Sequence, residues 1–232
     1  MPAGPRASEL VLAHVEAELS AGRFTLGGRL PAERALAEQL GISRPSVREA
    51  IRALEVLGVV RTGTGSGPDA GAVIVANPAA GIGAALRLHL ATTGVSVGDV
   101  VQLRVLIEGW ALREAAGRPD AAVFATAAAL LDEMDAEPDP HRFIDLDTAF
   151  HTSLVGLCGN VLVTAVMTSV RGAVRSYIGT GATRLPDWGA TSERLRAEHR
   201  RIYDAVRTGD APRAEREAIA HITGYYRDSG FG

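Results

Sequence analysis

The sequence predicts a mainly α-helical protein in two parts: three short helices with a small β-hairpin, then an all-helical bundle of six or seven helices. Three observations carry that expectation. Apolar residues recur at helical spacing through most of the chain, with Gly or Pro in nearly every gap. Two short extended runs flank a glycine-rich stretch, Gly63-Thr-Gly-Ser-Gly-Pro-Asp-Ala-Gly71. Beyond Asn77-Pro78 the strand signals stop, since the residue before proline is pushed out of helical conformation and only long helical patterns follow. At 232 residues the chain is long enough for two ordinary domains, and we divide it as 1–77 and 78–232.

Taken in order, Leu10, Val11, Val15 and Leu19 mark a first helix over 7–21, stopped by Gly22. Pro31 suits the first turn of a second, because its missing amide has no helical partner there. That helix carries Leu36, Ala37 and Leu40 and ends at Gly41. Ser43 offers an N-cap to a third, whose stripe Val47, Ile51, Leu54 and Leu57 stops at Gly58. Residues 59–62 and 72–76 read as the hairpin strands, and residues 77–81 as a linker. Helices are then expected at 82–92, 97–116, 120–136, 140–157, 161–178, 192–208 and 211–228. Trp110 and Phe150 are expected in the core.

Hydrophobic residues at 47% and charged residues at 22% exclude a disordered chain. The single cysteine, Cys158, excludes an intrachain disulfide and any Cys-x-x-Cys site. With no basic segment followed by an apolar run at the start, and no apolar stretch long enough to span a bilayer, a cytoplasmic protein is expected. The net charge of -3 argues against nucleic acid on the whole-chain mean. Divided at residue 77, however, the first part holds eight Arg and eight acidic residues, and the acidic excess belongs to the second. Lysine is absent, so all 24 basic residues are arginine and each presents a planar fork.

Two short helices joined tightly at Gly41, the second offering polar residues near its N-terminus, make a helix-turn-helix. Arg44, Ser46 and Arg48 stand at the start of the candidate recognition helix with Ser43 at its cap, and the arginine fork matches the O6 and N7 of guanine. Arg34 and Arg52 are placed as phosphate anchors, and Thr64 and Gly65 at the hairpin tip for the neighbouring minor groove. The alternative is that these arginines are surface charges paired with Glu33, Glu38, Glu49 and Glu55. Helix-turn-helix spacing together with the hairpin favours DNA.

The run Pro31-Ala-Glu-Arg-x-Leu-Ala, then Gly41-x-Ser-Arg-x-x-Val-Arg-Glu-Ala-x-Arg-x-Leu-Glu55-x-x-Gly-Val-Val, resembles the winged helix-turn-helix of GntR-type bacterial transcriptional regulators. The resemblance implies DNA contacts from Arg34, Arg44, Ser46, Arg48 and Gly65, and a dimer on a palindromic operator. The stretch 63–71 is longer than that family's usual glycine turn.

In the second part, Asp147 and His151 lie four apart on one helix, and His199 and His221 fall on the last two. Converging, they would suit Zn(II), Ni(II) or another borderline divalent ion; spacing alone leaves an ordinary helix-face pair equally open. Arg104-x-x-x-Glu108, Asp147-x-x-x-His151, Gly159-Asn160, Glu198-His199 and His221 resemble the FCD effector domain of FadR-like members of that family. The resemblance implies a metal held by Asp147, His151, His199 and His221, often coordinated by a carboxylate effector. Arg104 is then read either as the partner of an effector carboxylate or as an ion pair with Glu108. Arg171 and Arg175 either line the same cavity or face solvent. Asn160 either caps the helix beginning at Val161 or donates to a ligand. His14, His89 and His141 do not match and are read as packing, surface or cap residues.

The expected function is a transcriptional regulator, more often a repressor in such families, controlled by a small organic or sugar acid. Two alternatives use the same four residues: a metal-dependent hydrolase or isomerase, and a dedicated metal sensor. Glu198 is the adjacent candidate for general acid or base, but lies about 100° around the helix from His199 and is expected to face elsewhere.

Overall fold

Ten helices and one two-stranded antiparallel sheet make up the described residues, 6–63, 71–92, 96–182, 185 and 187–229, of a computed structural model. Thr64 and Gly65 lie outside them. The chain clusters into two compact units, Met1–Ala84 and Ala85–Gly232.

The first unit contains α1 (Ala7–Ser20), α2 (Glu33–Leu40), α3 (Arg44–Val56), β1 (Val60–Gly63) and β2 (Gly71–Ile74). Its core joins Val11 and Val15 of α1 to Leu36 of α2, Val47 and Ile51 of α3 and Ile74 of β2. Gly41 closes α2 in the left-handed region at φ 65°, where a side chain would be strained, and both its own amide and that of Ile42 return to Ala37. Ser43 then caps α3, its hydroxyl accepting from the Ser46 amide at 3.2 Å. Ser43→Ala is expected to cost about 1 kcal/mol at that helix start. Faster hydrogen exchange of the Ser46 amide would register the loss, and unchanged exchange would deny the cap its role.

The second helix starts two residues later than Pro31 predicts. Residues 27–30 run alongside β2, with the Gly27 amide donating to Ile74, Ile74 to Gly28 and Leu30 to Ala72. This pairing keeps the chain extended as far as Ala32, the N-cap. It joins residues more than forty positions apart, so no local pattern announces it.

The predicted linker 77–81 is also corrected. α4 (Pro78–Thr92) begins at the proline, which occupies the first helical position, where it gives up no hydrogen bond. The preceding turn is tight: a Cβ on Gly58, at φ 72°, would stand 2.1 Å from the Asn77 carbonyl oxygen. α4 runs across the division between the units.

The second unit continues with α5 (Val97–Ala115), α6 (Ala121–Ala136), α7 (Pro140–Gly156), α8 (Val161–Ala182), α9 (Trp188–Arg207) and α10 (Ala211–Asp228). α9 starts a turn before the expected Ser192, because Asp187 accepts from the Ala190 amide and caps it there. α10 packs along α5, with Gly109 admitting the Ile219 side chain to 3.3 Å of where a Cβ would stand. Phe150 and Leu154 of α7, Met167 of α8, Ile202 of α9 and Ile222 of α10 are fully or almost fully buried.

Trp110, expected in the core, is 41% exposed. α5 turns Arg104, Glu108, Ala111 and Ala115 inward, and Trp110 lies about 200° around the helix from Glu108. Leu10 and Leu57, counted in the predicted stripes, likewise keep more than a third of their surface.

Candidate functional site

Two sets of residues gather chemistry, one in each unit. In the first, Arg44, Arg48 and Arg52 fall at four-residue intervals along α3, all exposed, opposite the buried face of Val47, Ala50, Ile51 and Leu54. Arg34 on α2 is also exposed, 3.6 Å from Glu38. Ser46 sits within the first turn of α3, its hydroxyl 2.8 Å from that of Ser43.

Arg48 is held differently from its neighbours. Its Nε and Nη2 donate to both carboxylate oxygens of Glu33 on α2, at 3.0 and 2.7 Å. The Arg48 guanidinium holds the Glu33 carboxyl below its ordinary range. Of the pairings weighed from sequence, Glu33 with Arg48 and Glu38 with Arg34 are therefore present, whereas Glu55 accepts from the amide and hydroxyl of Thr62.

In the second unit, Asp147 stands at the centre. The Nε2 atoms of His199, His151 and His221 lie 2.8, 3.5 and 3.7 Å from its Oδ1. α7 supplies Asp147 and His151 one turn apart, α9 supplies His199 and α10 supplies His221. One donor atom from each of the four lies within 4.8 Å of all the others. His151 and His199 are completely buried, and His221 nearly so.

The surrounding residues turn these rings inward. Glu198 Oε2 is 2.8 Å from Nδ1 of His221, and Glu108 Oε1 is 2.5 Å from Nδ1 of His151, so two rings face carboxylates with one nitrogen and the centre with the other. Arg171 donates from Nη1 to Asp147 Oδ2 at 2.8 Å and from Nη2 to Glu108 at 2.5 Å, leaving Asp147 Oδ1 to the imidazoles. Arg104 reaches Glu108 Oε2 at 3.3 Å and the Tyr226 hydroxyl at 3.2 Å.

Three sequence readings are settled or changed by this geometry. Arg171 is fully buried, while Arg175, one turn further along α8, is exposed and paired with Asp145. Glu198, expected to face away, reaches the site after all: it does not point where His199 points, but α10 lies close enough to bring His221 to it. That hydrogen bond places it behind a ring and not at the centre where a general base would act. Asn160 caps α8, its Oδ1 accepting from Leu162 and Val163, and it is not among the residues lining the cavity described below. Of the unmatched histidines, His14 packs edge-on to Phe24 and His141 lies exposed in the first turn of α7.

Electrostatically the cluster favours neutral rings at His151 and His199. Burial, reinforced by Arg171, pushes His151 down to about 3, and burial lowers His199 as well. Burial acts on His221 in the same sense, but Asp147 and Glu198 outweigh it and raise the imidazole. For Glu108 and Asp147 burial favours the neutral acid, and the Arg171 guanidinium overcomes it, holding both well below the usual carboxylate range. Both ring nitrogens of His151 and Nδ1 of His199 are buried without a well-aligned hydrogen bond, although Nδ1 of His151 touches Glu108; a bound cation relieves that costly condition at Nε2 of His151. Three imidazoles and one carboxylate form a donor set suited to a borderline divalent ion.

Beside the cluster lies a cavity lined in part by Arg104, Asp147 and His221. Glu108, Arg171 and Glu198 complete the surroundings of the cluster. The sequence named Glu108 as a partner of Arg104, Arg171 as a lining or a surface residue and Glu198 as a candidate acid or base; their contacts depend on how α5, α7, α8, α9 and α10 pack. Among the described residues, no helix is long and apolar enough to cross a membrane.

Comparison with known proteins places both halves. The family described as bacterial regulatory proteins, gntR family, matches residues 7–68, and the FCD domain matches residues 99–224. The HTH-type transcriptional regulator LutR of Bacillus subtilis (strain 168) is 30% identical over 204 residues, covering 87% of this chain and 91% of that protein. The Glc operon transcriptional activator of Escherichia coli (strain K12) is 25% identical over 221 residues, 92% of this chain and 85% of its own. The HTH-type transcriptional repressor NanR of Citrobacter rodentium (strain ICC168) is 29% identical over 223 residues, 93% and 82% respectively. In fold, the solved structure of Streptococcus agalactiae GntR aligns with a TM-score of 0.67 at 21% identity, covering 96% of this chain and 100% of that one. With residues 7–68 matching the gntR family and residues 99–224 matching the FCD domain, and with LutR 30% identical over most of both chains, the chain belongs to the GntR family of bacterial transcriptional regulators.

Proposed function

We propose that this regulator is a cytoplasmic homodimeric repressor whose affinity for a palindromic operator is set by a small carboxylate, held at a divalent metal in the helical unit. Residues 1–77 read DNA and residues 78–232 bind the effector and pair the subunits. Arg44, Ser46 and Arg48 contact base edges, with Ser43, Arg34 and Arg52 on the backbone and the tip around Thr64 and Gly65 in the minor groove. Asp147, His151, His199 and His221 hold the ion, zinc or nickel. The observation that carries the reading is the convergence of three buried Nε2 atoms on one carboxylate oxygen.

When bound, such an ion supplies a Lewis-acidic point for an anionic ligand. Arg104 and Arg171 are balanced by Glu108 and Asp147 in the protein alone, so two added positive charges favour an anion in the adjoining cavity. Arg104 orients its carboxylate, while Arg171 fixes Asp147 and acts as a positioning residue. Arg171→Met is expected to lower metal affinity about 10- to 100-fold; calorimetry giving the wild-type affinity would remove Arg171 from that role.

An acid that releases DNA must bind the DNA-free arrangement more tightly, by about 1–3 kcal/mol of coupling, with α4 as the covalent connection between the units. Titrating operator DNA with stripped, metal-loaded and acid-treated protein tests this. The acid is expected to weaken binding only when metal is present. A response to metal that no acid modifies would replace this reading with a dedicated metal sensor.

A further inference from the structure

The cavity beside the cluster carries a statement about which carboxylate it accepts. Its lining is divided by chemistry. Arg104, Asp147 and His221 supply its guanidinium, carboxylate and imidazole groups; the remaining described lining consists of Phe143, Ile144, Trp188, Leu195, Ile222 and Tyr225. Ile144, Leu195 and Ile222 have no donor or acceptor in their side chains. Trp188 donates its indole N–H to the Pro138 carbonyl at 3.2 Å and packs its ring edge-on against Phe143, with centroids 5.4 Å apart. It therefore presents carbon to the cavity. Tyr225 contributes the single hydroxyl among these side chains.

We infer that this cavity takes a short monocarboxylate with an apolar body, and that it discriminates against polyhydroxylated sugar acids. The inference rests on the proposed carboxylate reading and narrows it. With the carboxylate at Arg104, the rest of the ligand lies against aliphatic and aromatic carbon. A sugar acid carries a hydroxyl on each following carbon, and every hydroxyl that enters without a partner costs about tenfold or more in affinity. An alkyl body leaves water for a matching surface instead. The cavity volume is about 20 Å³, room for about one or two waters, so any acid that enters moves the lining side chains, and a short body demands less movement than a long one.

Isothermal calorimetry on the full chain reloaded with Zn(II) tests this, using isovalerate and gluconate as paired probes of similar charge. Isovalerate is expected to bind at least about tenfold more tightly, in keeping with the loss assigned to each unpaired hydroxyl. Arg104→Met should abolish its binding while zinc uptake continues, since Glu108 keeps Arg171 as a partner. Leu195→Thr, checked for wild-type helicity by circular dichroism, should narrow the ratio by giving gluconate a hydroxyl partner. Gluconate binding as tightly as isovalerate, or an unchanged ratio in Leu195→Thr, would overturn the apolar-body inference and leave the carboxylate reading intact. If neither these acids nor acetate produced heat with zinc-loaded protein, the carboxylate reading itself would fall.

Discussion

Replacing Asp147 with alanine is expected to abolish the stabilisation that a divalent ion gives the helical unit. In the native arrangement the Asp147 Oδ1 is the point toward which all three Nε2 atoms turn, and its Oδ2 is fixed by Arg171. The substitution removes one of four ligands and leaves Arg171 with Glu108 alone. A ligand that binds only the folded chain stabilises it by about 2.7 kcal/mol at a hundred times its dissociation constant. Wild-type protein should therefore melt at a clearly higher temperature with Zn(II) than after chelation, and Asp147→Ala should melt at the same temperature in both. Equal metal-dependent shifts in the two proteins would show that the ion, if bound, sits elsewhere.

The second large effect is expected from Arg48→Ala. Arg48 is one of three exposed arginines in a row on α3, and in the DNA-free chain its fork is closed on both oxygens of Glu33. A bidentate contact to guanine is worth about 1–3 kcal/mol of discrimination, so operator affinity should fall by roughly tenfold to a hundredfold while non-specific binding changes less. Because Arg48 and the histidine cluster belong to different compact units, metal content should be unchanged. Glu33→Gln releases the same fork from its carboxylate and should raise binding to non-specific DNA. Operator affinity of Arg48→Ala equal to wild type, at fixed salt, would remove Arg48 from base reading.

Much of the architecture is legible in sequence because each helix carries its own apolar period and most carry a stop or a cap. Gly41, Ser43 and Gly58 delimit α3 from local chemistry alone. The misplaced boundaries have non-local causes. α2 starts late because residues 27–30 pair with β2, and the exposure of Trp110 follows from α5 turning a charged face inward. A helical stripe cannot be assigned to core or surface when the buried side carries Arg104 and Glu108.

The site divides in the same way. Spacing suggested Asp147 with His151 and made His199 and His221 candidates on the last two helices, but assigning all four to one ion required the family resemblance, since the two stand 48 and 70 positions beyond His151. The carboxylates behind the rings were less visible still. Glu108 meets His151 only because α5 packs on α7, and Glu198 meets His221 only because α9 packs on α10. Arg171 is legible as an arginine on a helix, and its burial between two carboxylates emerges only in three dimensions.

The central claim is that the buried histidines and Asp147 form one metal centre per chain. Calorimetric titration of chelator-stripped wild-type protein with Zn(II), beside His199→Ala, tests it most directly. The account predicts one ion bound per wild-type chain and at least tenfold weaker binding in the variant, as expected when a ligand from a preformed set is removed. Zinc uptake of the same stoichiometry and affinity in both proteins, or none by the wild type, would contradict it.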